Sequence, residues 1–281
     1  MTDQTQETHE TQGTGVRRAA VHPLLPGSVA RGQNFWVQWI AGPATAEASS
    51  HSEMLLLLPD DGGATVHTHT AAPEVRQVPG RSVCVLPPGA VSVRLAGAGR
   101  AALLASSRPD LASGVVLNEA DYALPDVRIR PVGAGYRRRT PSLAVQVMAV
   151  DAVRPPAEKP RLKMFQSDTL SINWVEYQGP RDRRQLSPHQ HADFEQGSLA
   201  MAGDFVHHLR VNWGSDADQW RADEHLHAPS PSMITVPVLL VHTSEGVGPG
   251  RHLLIDVFSP PRQDFIDKGW VANAGDYERR E

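Results

Sequence analysis

His189-Gln190-His191-Ala192-Asp193-Phe194-Glu195 is the stretch on which the reading of this chain turns. Side chains alternate across a strand, so on a strand His189 and His191 share a face and aim two imidazoles at one point. A metal ion is the natural occupant of such a point. A short turn at residues 192–194 swings the Glu195 carboxylate toward it, and His242, after the apolar run at 238–241, adds a third imidazole from a strand end. Three imidazoles and one carboxylate leave open positions on a six-coordinate metal for substrate or oxygen.

Around this stretch the chain reads as β. Apolar runs are short and broken, and glycine and proline number 23 each, a pattern of brief strands and tight turns. Strands are expected at residues 170–177, 197–202, 205–211, 232–236 and 253–258, within a module spanning residues 164–260. An earlier module over residues 21–135 has expected strands at 35–40, 54–58, 81–86 and 91–95, with Asp60-Asp61-Gly62-Gly63 and Pro87-Pro88-Gly89 as turns. A proline-broken linker, residues 136–163, joins the two. Residues 1–20, rich in Thr, Gln and Glu, read as a disordered leader, and residues 261–281 as a tail packed across a barrel or a partner subunit. The earlier module carries its own pair, His67 and His69, so a duplicated β-barrel accounts for the whole.

The histidine stretch resembles the first motif of the cupins, in which His-X-His is followed three or four residues later by Glu. Gly203 stands near the motif's trailing glycine, while Arg183 replaces the glycine before the histidines. Pro237 and His242 match the second motif, Pro-X-Gly-X-X-His, with Leu239 in the glycine's place. The resemblance implies four metal ligands, His189, His191, Glu195 and His242. In the earlier module His67, His69 and Glu74 approximate the first motif, and Pro87-Pro88-Gly89-Ala90-Val91-Ser92 has the second with Ser92 for the histidine. The span from His67 to Ser92 is about half that from His189 to His242. The chain is thus similar to a bicupin, two tandem jelly-roll barrels in an all-β fold, with a degenerate first barrel and a working second one.

Between the motifs, His207-His208-Leu209-Arg210 supplies candidate catalytic groups. Alternation turns one of His207 and His208 inward and the other outward, with Arg210 on the face of His208. An inward histidine serves general acid or base chemistry, and Arg210 suits a substrate carboxylate. His225 and His227 are candidates for a second metal, and Trp213 and Trp220 for packing or a pocket wall. Cys84, the one cysteine, sits among apolar neighbours and reads as core.

A net charge of -4, with arginines scattered among acids, excludes a nucleic-acid interface. No apolar stretch approaches the roughly 20 residues of a membrane helix, and no signal-like segment opens the chain, so a cytoplasmic protein is expected. The resemblance implies a metal-dependent enzyme, first an Fe(II) oxygenase acting on a small carboxylic acid. The alternatives are a Mn(II), Ni(II) or Zn(II) isomerase, lyase or decarboxylase, and a non-catalytic binder of small molecules. A homodimer is expected by the same resemblance.

Overall fold

The computed structural model describes residues 18–106, 110–111, 115–133 and 135–280. Most of the expected leader therefore lies outside the described residues. Two six-stranded antiparallel sheets stand at the centre. One has the order β13-β8-β5-β10-β3-β2, where β2 is Val29–Arg31, β3 Phe35–Ala41, β5 Met54–Leu58, β8 Ser82–Leu86, β10 Arg100–Ser106 and β13 Gln146–Ala149. The other has the order β1-β19-β16-β21-β15-β14, where β1 is Ala20–Pro23, β14 Met164–Gln166, β15 Ser171–Gln178, β16 Gln196–Ala202, β19 Ser232–Val236 and β21 Arg251–Phe258.

Each central sheet has an outer partner. The first half adds β4 (Thr45–Ser50), β6 (Ala64–Thr68), β7 (Glu74–Val78), β9 (Gly89–Leu95) and β11 (Asp110–Leu111), in the order β11-β4-β9-β6-β7. The second half adds only β17 (Asp204–Val211), β18 (Glu224–Pro229) and β20 (Leu240–Val247), in the order β18-β17-β20. All nine strands expected from the sequence exist, with ends shifted by at most two residues. Those not foreseen, such as β4, β6, β7, β18 and β20, are polar or irregular in sequence because one face meets solvent.

Burial explains why Met54–Leu58 is apolar at every position. Leu55 and Leu57 face the other half, packing with Trp39, Val83, Trp174, Leu199 and Ile255, while Met54, Leu56 and Leu58 face β6 and β9 through Val66, Leu86, Val91 and Val93. A strand covered on both sides reads as a continuous apolar run. In β21 the same division sends Leu253, Ile255 and Val257 to the central core and leaves Leu254, Asp256 and Phe258 facing the second half's own interior. That interior is apolar only in patches, Phe205 with Leu254 and Leu209 with Ile234, and so has room for polar groups.

The halves are not independent in sequence. β1, expected in the first module, pairs with β19 of the second half, Val21 opposite Ile234. The expected linker contributes β13 to the first half's central sheet through Val147 and Cys84. It also contributes β12 (Tyr136–Arg138), which pairs with β22 (Tyr277–Arg279) from the tail. The tail's short helix α1 (Gln263–Asp267) packs Phe265 and Ile266 near Phe194, Phe258 and Met164. Cys84 is buried and its thiol is pushed up to about 12 by burial, as befits a core residue. Among the described residues, no helix is long and apolar enough to cross a membrane.

Candidate metal centre

His189 and His191 do not share a strand. His189 forms an isolated antiparallel bridge to His242, and residues 190–195 run irregularly until β16 begins at Gln196. His189 and His242 exchange both backbone hydrogen bonds, at 3.0 and 2.8 Å, which sets their rings 4.4 Å apart. His191 is held by the Leu239 amide, which donates to its carbonyl at 2.7 Å, and by Phe194, stacked on its ring at 4.4 Å. The three imidazoles offer nitrogens that all lie within 4.8 Å of one another, the one such grouping of at least three His, Cys, Asp or Glu among the described residues.

Leu239 occupies the glycine position of the second motif in the conformation that position requires, φ 65°. Gly89, its counterpart in Pro87-Pro88-Gly89, has φ 122°. The two halves match in register as well, since His67 pairs opposite Ser92 as His189 pairs opposite His242. In the first half His69 Nε2 lies 3.0 Å from Ser92 Oγ, a hydrogen bond where the second half has a third imidazole.

Glu195 is not brought to the imidazoles. Its carboxylate accepts from the Tyr122 hydroxyl at 2.9 Å and from the Gln33 amide at 2.8 Å, on the side of the first half. Alternation is the reason: adjacent residues entering a strand face opposite ways, and it is Gln196 that faces inward. Gln196 Oε1 lies 2.8 Å from His191 Nε2 and 3.3 Å from His242 Nε2. Its amide nitrogen donates to Ser198 Oγ at 3.0 Å and to Asp256 Oδ1 at 3.1 Å, which fixes the oxygen toward the histidines. Asp256 also accepts from Ser198 Oγ at 2.9 Å and from Asn173 at 3.3 Å, and burial raises its pKa. The expected carboxylate is replaced by a neutral carbonyl oxygen oriented by a carboxylate behind it.

The donor set fits a cation. His189 Nδ1 and His242 Nδ1 each lie 2.9 Å from a backbone carbonyl, Ser187 and Leu240, and a carbonyl only accepts, so both rings carry hydrogen on Nδ1 and turn Nε2 inward. Burial, aided by the neighbouring His189 ring, pushes His242 down to about 4, so at neutral pH its Nε2 is a lone pair. That lone pair faces the lone pairs of Gln196 Oε1, two acceptors with no hydrogen between them, an apposition that a metal ion resolves. Burial likewise pushes His191 down to about 3 and keeps it an uncharged ligand.

His189 and His242, with Gln196, stand at the wall of a cavity of about 780 Å³ that is also lined by Tyr177, Phe205, Ser244, Leu254, Phe258 and residues of the tail. Of the candidate catalytic residues, His207 turns inward and is buried, with Nδ1 2.9 Å from Ser244 Oγ. His208 turns outward, its Nδ1 2.8 Å from His225 Nδ1 and its Nε2 2.8 Å from Glu245. Arg210 shares that outer face, as alternation requires; it is exposed, paired with Asp223 at 2.6 Å, and lines with His208 and His242 a second cavity of about 610 Å³, separate from the one lined by His189 and Gln196. Trp213 and Trp220 stack on each other at 4.7 Å and stay exposed. His227 is exposed as well.

No protein-family model matches the chain, and no curated protein matches it in sequence. Solved structures do match it in fold. An oxalate decarboxylase aligns with TM-score 0.57 at 13% identity, over 88% of this chain and 78% of its own. The Bacillus subtilis oxalate decarboxylase studied for its Mn(II) centres aligns with TM-score 0.55 at 12% identity, over 89% and 79%. The 7S globulin of Momordica charantia aligns with TM-score 0.51 at 10% identity, over 82% and 74%. The fold is the cupin jelly roll. Identities this low establish the cupin fold alone, and a fold hosts many functions. Sequence reasoning missed Gln196, Asp256 and Ser244. Gln196 directly follows the acid that the motif spacing selects, four residues after His191, and nothing local marks it as the inward-facing donor. Asp256 lies on β21, distant in sequence with no local pattern to mark it, whereas Ser244 is two residues beyond His242 on β20 and alternation would have put it on the same face.

Proposed function

We propose that the chain is a bicupin enzyme with one working metal centre in its second barrel, acting as a metal-dependent decarboxylase or related lyase on an organic acid. The observation that carries this is the gathering of three imidazole nitrogens within 4.8 Å of one another, with the Gln196 carbonyl oxygen against His191 and His242, beside a cavity. Divalent metals suit imidazole and carbonyl donors, and Mn(II) is favoured over Fe(II), Ni(II) and Zn(II) because a fold neighbour has Mn(II) centres. Decarboxylation is preferred to the oxygenase expectation on the same ground, since the oxalate decarboxylases are the neighbours of known chemistry.

His189, His191, His242 and Gln196 would hold the ion, with Asp256 and Ser198 orienting the amide. When bound, the metal supplies a Lewis acid that polarises a substrate carboxylate or carbonyl. Ser244, two residues along β20 from His242, presents its hydroxyl to the cavity, and His207 behind it accepts or returns the hydroxyl hydrogen at Nδ1. His207 is driven down to about 3 by burial, so it acts as a neutral imidazole that positions the serine proton. Phe205, Leu254 and Phe258 exclude water from the reacting end. His208 and Arg210 have no place in this scheme.

The test is metal content of protein purified without chelator, beside His191→Ala/His242→Ala, followed by turnover of candidate acids by the Mn(II)-loaded protein with and without oxygen. About one equivalent of metal, lost in the double variant, with carbon dioxide released and no net oxygen consumed, supports the proposal. Stoichiometric oxygen consumption returns the oxygenase, and failure to bind any of the four metals leaves a barrel used for binding alone.

A further inference from the structure

The same cavity carries charge that the metal centre does not need, some of it near Gly246, four residues along β20 from His242, whose carbonyl accepts from the Arg181 amide at 2.9 Å. Lys159, Arg161, Arg181 and Lys268 line its mouth, where the loop before β14, the loop after β15 and the tail come together. Two acids also line the mouth, and both are engaged: Asp264 pairs with Arg262 at 2.7 Å, and Glu158 accepts from the Trp270 indole at 3.1 Å. Arg161 and Arg181, in contrast, pair with no carboxylate among the described residues, whereas thirteen other arginines do. Arg181 spends one donor on the Gln185 carbonyl at 3.0 Å and lies over the Tyr177 ring at 5.9 Å. Burial, and after it the charge of Arg181, lowers the pKa of Arg161. Two guanidiniums that line one cavity without a carboxylate partner suit an anion that joins them.

The cavity also has an apolar and aromatic wall, formed by Val175, Tyr177, Phe205, Leu254 and Phe258. A volume of about 780 Å³ lies in the range of pockets that enclose a ligand of many heavy atoms.

We infer that the substrate is an organic acid with an arene-sized apolar body and an anionic group remote from the metal centre, and that Arg161 and Arg181 clamp that group. This rests on the proposed function, because it takes the cavity as the substrate site. Selectivity then comes from the mouth and the aromatic wall, whereas the imidazoles set the chemistry. The planar guanidinium fork and the Tyr177 face together favour a carboxylate carried on a conjugated frame.

Cinnamate, its neutral amide cinnamamide, and oxalate serve as probes of the full chain by titration calorimetry, with metal content measured in parallel. Cinnamate is expected to bind at least about tenfold more tightly than cinnamamide, the effect of one charge-assisted contact at a half-open site. Arg161→Gln/Arg181→Gln should abolish that preference and leave the metal equivalents unchanged, while Arg210→Gln, on the outer face, should keep it. In the wild type, added salt should weaken cinnamate and leave cinnamamide unaffected, which tests the clamp without any variant. Equal binding of acid and amide, no binding of either, oxalate displacing cinnamate at matched concentration, or a preference that survives in the double variant overturns the inference. Loss of metal binding alone, with the arginine-dependent preference intact, overturns the catalytic proposal and spares the clamp.

Discussion

Glu195 and Gln196 are neighbours in sequence with opposite fates, and the difference is one step of strand alternation. Gln196→Ala removes a donor aimed at two imidazoles and is expected to weaken metal binding by on the order of 10–100-fold. Glu195→Gln keeps one of the two acceptors that serve Tyr122 and Gln33 and is expected to leave metal stoichiometry intact. Metal titration of the two variants distinguishes the donors, and the reverse pattern would restore the carboxylate as ligand. Leu239 is a second residue-scale case. A branched side chain at φ 65° crowds the backbone, and Leu239 is 44% exposed, so little packing repays it. Leu239→Gly is expected to raise stability by roughly 0.5–1 kcal/mol, allowing for glycine's extra freedom when unfolded. A loss on denaturant melting would mean that the exposed leucine has a partner worth more than the strain.

At the scale of the element, β5 differs from an ordinary sheet strand because adjacent residues both face apolar cores. Leu55→Ala and Leu56→Ala are each expected to cost about 2–5 kcal/mol, one opening a cavity between the halves and the other inside the first half. Denaturant midpoints check this, and tolerance of either change would show that one face is open. β17 behaves in the opposite way. Its alternation was legible from the sequence, and it puts Phe205, His207 and Leu209 inside and Val206, His208 and Arg210 outside. Which of the two histidines faces in was not legible, because both ends of the strand are polar and the apolar residues on each face are few. Packing of Phe205 with Leu254 and of Leu209 with Ile234 decides it.

Across the whole molecule, two polar clusters join the halves at opposite ends of the central core. At one end Glu176 receives Arg81 at 2.9 Å and Arg251 at 2.7 Å, and Arg251 reaches Asp60 at 2.8 Å. At the other, buried Glu53 of the first half takes Arg138 and the Tyr277 hydroxyl, while Asp168 of the second half accepts from the Glu53 amide. Burial and the Glu53 charge push Asp168 up to about 7, well above the 3.8 of an ordinary aspartate. A carboxyl raised in the folded state binds its proton more tightly there than when unfolded. Its contribution is full below pH 3.8 and is lost as pH rises through about 7. Stability measured by urea melting should therefore fall across that window by more in the wild type than in Asp168→Asn, which stays neutral and can still accept from Glu53. Equal slopes would mean that Asp168 is ionised throughout.

The sequence by itself determined the β class, the positions of nine strands, and the three histidines that meet. Periodicity is a local property and set His189 and His191 two residues apart, while their meeting with His242 rests on a distant backbone pairing that the second motif foretold. Glu195 was assigned by spacing and by the cupin motif, and in the structure its carboxylate accepts from Tyr122 and Gln33 of the first half, a nonlocal contact that no motif encodes. Only the fold could place β1 in the second half's sheet, set Asp256 behind Gln196, and bring Arg161 and Arg181 to one cavity mouth. Each of these depends on which surfaces bury against which, and an apolar run specifies that a face is buried without specifying by what.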